Sequence, residues 1–144
     1  MTDLFRSGLY AFLACLGFCI MYNIRERKVR FAACVGGALM WVIYLLIEPY
    51  GALYGAFFSS LAVALYSETM ARVLKKPATV FLIVGILPLV PGGGIYYTMY
   101  YCIQGNMQMF VEKLFSTVAT AGLIAVAVSL STSAFRISDK IKRK

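Results

Sequence analysis

An all-α polytopic membrane protein of about five transmembrane helices, the fourth of them interrupted, is the fold that three observations predict. Of the 144 residues, 61% are hydrophobic and only 14% charged, whereas a soluble domain carries about a quarter charged residues. A chain this small cannot enclose so many apolar side chains in a core and still cover itself with polar ones. The apolar residues also fall into runs of the length a bilayer crossing needs, roughly 20 residues per helix. Finally, the basic residues behind the net charge of +8 sit in short clusters between those runs. No polar face or RNA-type aromatic motif accompanies them, so the charge reports membrane topology and not a nucleic-acid partner.

The spans follow in order as a single transmembrane domain over residues 1–144. Residues 4–23 form the first, with only Arg6 near its start and a basic cluster after it. That is the reverse of a cleavable signal peptide, so this segment is expected to stay in the mature protein. Residues 31–47 form the second span. Glu48-Pro49 makes a tight turn, and residues 50–70 form the third. Residues 78–103 are apolar but broken at 88–94, and residues 114–135 form the fifth. Glu48 and Trp41 are read as anchors and nothing more.

Charge sets the orientation. Arg25, Arg27, Lys28 and Arg30 follow span one, and Arg72, Lys75 and Lys76 follow span three. The tail holds Arg136, Lys140, Lys142, Arg143 and Lys144. Placing all three groups in the cytoplasm gives an external N-terminus and an internal C-terminus. A broken segment that dipped in and returned would put the basic tail outside, so residues 78–103 are expected to cross once. The expected location is the cell (cytoplasmic) membrane.

Small residues recur at fourfold spacing in two spans. Gly51, Gly55 and Ser59 form one line in span three, with Ala52, Ala56, Ser60 and Ala64 beside it. Span five repeats the pattern with Thr117, Ala121, Ala125, Ser129 and Ser133. Such lines let helix backbones approach closely in lipid. Packing is the first reading of Ser59, Ser60 and Thr120, and a polar path is the alternative. Two such helices in so short a chain suggest contact with a partner as well as internal packing.

The break is the most unusual feature. Pro88 cannot donate to the Val84 carbonyl, nor Pro91 to that of Leu87. Gly92, Gly93 and Gly94 then permit backbone angles closed to other residues. Irregular backbone at membrane depth survives only where protein buries it or where it lines a wet cavity. Two half-helices are expected, the first ending near Leu87 and the second beginning near Gly94 or Ile95. The second directs free amides and a positive dipole inward, suited to a carboxylate, and the first offers carbonyls suited to an ammonium. A small zwitterion such as an amino acid fits both ends, as in secondary transporters with discontinuous helices. The competing reading is a packing kink without a ligand. Tyr96 and Tyr97, beyond the glycines and deeper in the span, either offer hydroxyls to a substrate or have no substrate role, while Tyr100 and Tyr101 belong to the interfacial belt. Glu68 and Arg72 stand four apart, a spacing that allows an interfacial ion pair. The alternative makes Glu68 a proton carrier or gate.

No enzyme chemistry is visible. The chain has no histidine, and Cys15, Cys19, Cys34 and Cys102 include no CxxC pair, so neither a metal site, a redox motif nor a cofactor is expected. Cys15 and Cys19 are read as small buried thiols.

Several of these stretches carry a resemblance. They are Ser67-Glu68, Ala71-Arg72, Lys76-Pro77-Ala78-Thr79 and the run Ile86-Leu87-Pro88-Leu89-Val90-Pro91-Gly92-Gly93-Gly94-Ile95-Tyr96-Tyr97. Leu16-Gly17-Phe18, Asn23 and Gly36-Gly37-Ala38-Leu39-Met40-Trp41 agree with them. Together they resemble the threonine/serine exporter (ThrE) family, and most of all the short, membrane-only, YjjB-like subunit of its two-subunit form. One departure is Ile24-Arg25-Glu26 after Asn23, where the family leads one to expect a proline; this leaves the shape of the first loop open. The resemblance implies export of threonine and serine driven by the proton motive force, and a larger membrane subunit as partner. Some two-subunit relatives are linked instead to dicarboxylates such as succinate. A five-span unit starting outside can follow a five-span unit starting inside, which makes the two inverted repeats. A non-transporting scaffold subunit is the reading from another class.

Overall fold

A computed structural model describes residues 2–142, with side chains over 4–137; Lys140, Lys142, Arg143 and Lys144 of the basic tail lie outside the described side chains. Six helices follow one another: α1 (Thr2–Met21), α2 (Arg27–Ile47), α3 (Ala52–Leu74), α4 (Ala78–Ile86), α5 (Gly92–Ile103) and α6 (Met107–Lys142). Two short 3₁₀ turns, Glu48–Tyr50 and Leu87–Leu89, lie between α2 and α3 and between α4 and α5. Among the described residues there is no strand.

Local chemistry explains most of the ends. Asn23 takes a left-handed conformation at φ 54°, which asparagine tolerates better than most residues. Its amide reaches Ile20 O and that of Ile24 reaches Cys19 O, each at 3.0 Å, the paired bonds of a Schellman cap. Lys75 (φ 53°) and Gly105 (φ 71°) hold the same position after α3 and α5, with Lys76 N to Ala71 O at 3.0 Å and Asn106 N to Tyr101 O at 3.1 Å. Asn106 then caps α6, its Oδ1 accepting from Met109 N at 3.2 Å. Connections this short fold successive helices back on one another.

α2 and α3 are the two inner helices, α3 packed against α2, α4 and α6 and α2 against α1, α3 and α4, while α5 lies on α6. The buried face of α3 is Gly55, Ala56, Ser59, Ser60, Val63, Ala64 and Ser67, so the small residues of this span do pack internally. Ser67 Oγ donates to Val63 O at 2.7 Å and Ser59 Oγ to Gly55 O, which satisfies both hydroxyls inside their own helix. Among the described residues three helices are long and apolar enough to cross a membrane, in α1, α2 and α6. The bent pair Ala78–Leu89 and Gly92–Ile103 makes a fourth if taken as one span. α3, with 23 residues, has the length but not the hydropathy, which Ser59, Ser60, Ser67, Glu68 and Thr69 lower.

The second line of small residues behaves differently. Ala121, Ala125, Ser129 and Ser133 are exposed, and the buried positions of α6 are Ile124, Ala127 and Ser131. Within the isolated chain these four therefore face outward, and only Thr117, at the start of the line, packs internally, against Gly94 of α5. Large apolar side chains also face outward, among them Phe5 and Phe115 at 77% exposure and Ile103 at 83%. So much exposed apolar surface marks a lipid or protein environment.

The loops after α1 and α3 and the part of α6 around Phe135 meet at one end of the bundle. Lys76 forms an ion pair with Glu26, joining the first loop to the third. The Arg72 guanidinium lies 4.6 Å from the ring centroid of Phe135, bringing the last turns of α6 to the end of α3.

Candidate functional site: the break between α4 and α5

The interruption is shorter than its sequence suggests. After the turn Leu87–Leu89, only Val90 (φ −61°, ψ 130°) and Pro91 (φ −75°, ψ 57°) separate it from α5. The two halves meet at 49°. α5 begins at Gly92, not near Gly94 or Ile95, and the only glycines with positive φ among the described residues are Gly51 and Gly105. The expectation that Gly92, Gly93 and Gly94 use angles closed to other residues is thus corrected: the prolines alone break the helix, and the glycines form an ordinary helical turn.

What the three glycines provide is space, and they do so differently. A methyl group on Gly94 would collide with Thr117 Oγ1 on α6, so this glycine sets the approach of α5 to α6. A methyl on Gly92 or Gly93 would meet nothing within 4 Å. Those two border a cavity of about 190 Å³, together with Pro88, Leu89, Val90 and Pro91. Trp41 and Tyr44 of α2 and Thr120 of α6 close it. The two rings are stacked, with centroids 5.4 Å apart and planes at 19°. No charged side chain lines the cavity.

The backbone polar groups freed by the break find various partners. Val90 N donates to Leu87 O at 3.2 Å, Gly92 N to Val90 O at 2.7 Å and Ile95 N to Pro91 O at 3.1 Å. No side chain caps α5, and the amides of Gly93 and Gly94 have no partner among the described residues. The Val84 carbonyl, deprived of a donor by Pro88, accepts from Cys15 Sγ of α1 at 3.6 Å. Cys15 is fully buried and occupies the place where a side chain on Gly37 would stand.

The structure groups some of the expected residues and separates others. Pro88, Pro91, Gly92 and Gly93 line one cavity, and Gly94 braces it from behind. Tyr96 and Tyr97 lie outside it, exposed, in a ladder where Tyr96 stacks on Tyr100 and Tyr97 on Tyr101. Glu68 is half-buried on α3, makes no ion pair among the described residues and does not line the cavity. Arg72 has turned to Phe135. Residues 7–134 match the family model described as threonine/serine exporter, ThrE. The chain belongs to the threonine/serine exporter family. No solved structure matches it. An exporter family is a class of transporter and not of enzyme, and in this exporter chain the cavity that borders Gly92 and Gly93 is uncharged and small.

Sequence reasoning missed Trp41 and Tyr44, having read Trp41 as an anchor. Their spacing of three places both rings on one helix face, and that was the available signal. Cys15 carried none, since its partner lies 69 residues away.

Proposed function

We propose that this chain is the short membrane subunit of a proton-coupled threonine/serine exporter in the cytoplasmic membrane, working with a larger membrane subunit. The observation that carries this reading is the cavity at the break, where irregular backbone, free amides and hydroxyl-bearing side chains meet at the middle of an apolar span. A site of that kind suits a small polar solute. Its volume of about 190 Å³ is below the roughly 300 Å³ at which drug-sized ligands begin. Pro88 and Pro91 hold the backbone open, Gly92 and Gly93 bring it to the solute, and Gly94 keeps α5 against α6. Tyr96 and Tyr97 form the outer face of α5, toward lipid or the partner. Glu68, a half-buried carboxyl in a span, is the group proposed to carry or gate the proton, and Arg72 holds its end of α3 to α6. The exposed line Ala121, Ala125, Ser129 and Ser133 is the proposed seat of the larger subunit.

Release of amino acids and dicarboxylates from loaded cells tests the function. Cells carrying the gene pair are expected to lose threonine and serine faster than cells without it, with succinate unaffected. Faster loss of succinate alone would move the substrate to dicarboxylates, and no change for any solute would leave a scaffold subunit.

The proposed topology is five crossings with the N-terminus outside and the C-terminus inside. It is supported by the meeting of the two basic loops and the Phe135 region of α6 at one end of the bundle and by the modest 49° bend, which suits one crossing better than a return. A phosphatase fused after Lys144 is expected to be inactive and a fluorescent reporter there bright. The opposite pair of results would overturn the orientation.

A further inference from the structure

We infer that the stacked pair Trp41–Tyr44 receives the ammonium group of the substrate, and that Trp41 thereby makes this cavity prefer a zwitterion to an anion of similar size. The inference rests on the reading of the break cavity as the substrate site.

A small amino acid brings one positive and one negative charge. Any site for it must offer something to the ammonium, and this cavity has no Asp or Glu in its wall. Beside the hydroxyl oxygens of Tyr44 and Thr120, aromatic faces are the source of negative potential among its side chains, because the ring quadrupole concentrates electron density above and below the plane. Indole has the strongest such face. Trp41 and Tyr44 both border the cavity, and their near-parallel stacking at 5.4 Å holds the two rings as one unit. Tyr44 is braced in turn by Gly55 of α3, whose missing side chain leaves room for the phenol ring. The same wall is unfavourable to anions. With no Lys or Arg bordering the cavity, a dicarboxylate would meet the aromatic pair and no cationic side chain to neutralise its second charge. In a site away from water that deficit is large. Attraction to a ring face is worth about tenfold in affinity when the cation is partly desolvated.

Trp41 is the only tryptophan of the chain, so its ring can be altered singly. The experiment uses the complex with its partner in vesicles and compares threonine with 3-hydroxybutyrate, which is threonine without the amino group. Fluorinated tryptophans placed at position 41 by nonsense suppression keep the shape of the ring and weaken its face stepwise. The half-saturating threonine concentration is expected to rise with each added fluorine, to about tenfold at full fluorination, with the maximal rate within about twofold. Trp41→Leu is expected to bring the preference for threonine over 3-hydroxybutyrate close to one, and Trp41→Phe to keep part of it. A structural role would instead lower complex yield or maximal rate and leave both the fluorine series flat and the preference intact; that result overturns the inference. If the flat series comes with normal threonine export, the exporter reading stands and only the role of Trp41 falls. If the unaltered complex exports no threonine, both fall.

Discussion

Gly93→Val is expected to abolish export while leaving the amount of assembled complex unchanged, and Gly94→Val to do the reverse. The two glycines are neighbours in one helical turn and differ in what surrounds them. At position 93 the first added carbon meets no protein atom within 4 Å and stands at the edge of the break cavity. Valine there is a better helix residue than glycine, so folding is not harmed. Its bulk instead enters the space proposed for the solute, and transport per complex falls to background. At position 94 the first added carbon strikes Thr117 of α6. Thr117 Oγ1 also donates to Lys113 O at 2.6 Å, so it does not turn aside without giving up that bond. Overpacking of this kind costs about 1–3 kcal/mol, enough to lower assembly severalfold, and the surviving complex should transport. Complex yield and efflux measured side by side separate the two outcomes. Normal export per complex from Gly93→Val would defeat the substrate-site reading and leave the break as a structural feature only.

The chain purified and reconstituted by itself is expected to export nothing, and full activity is expected to return with the larger subunit. Half of an inverted pair has one half of the alternating-access machinery, and the exposed small residues on α6 are the face such a partner would need. Because packing in lipid depends on close approach, Ala125→Leu should remove copurification of the larger subunit while leaving the chain itself inserted. Transport by the chain alone with the substrate preference of the pair would sink the two-subunit reading. Retention of the partner by Ala125→Leu would move the interface elsewhere.

The fold was readable in advance wherever one residue dictates its own backbone. Pro88 and Pro91 placed the interruption between α4 and α5, Glu48-Pro49 placed the turn before α3, and the apolar runs placed the helices. Helix ends were displaced where charge extends a helix beyond the bilayer: α2 starts at Arg27 and α6 runs from Met107 to Lys142, because polar residues leave the membrane without leaving the helix. The conformation of Gly92 to Gly94 was misjudged because glycine permits many backbone angles and selects none. The outward face of the α6 line was hidden for a related reason. Fourfold spacing identifies a line of small residues but not which neighbour it meets. The wall of the cavity depends on contacts between distant segments, Trp41 of α2 and Thr120 of α6 with the break, and no local pattern reports these.

The bond from Cys15 to the Val84 carbonyl has a consequence for biogenesis. A helix interrupted by two prolines enters hydrocarbon with backbone groups bare, at a cost of several kcal/mol for each. Here one of those groups is met by a thiol of α1, in a gap left for it by Gly37 of α2. Synthesis proceeds from the N-terminus, so both helices exist before residue 84 leaves the ribosome. The partner of the Val84 carbonyl is thus complete only where α1 and α2 are already packed together, since the thiol comes from one and the room for it from the other.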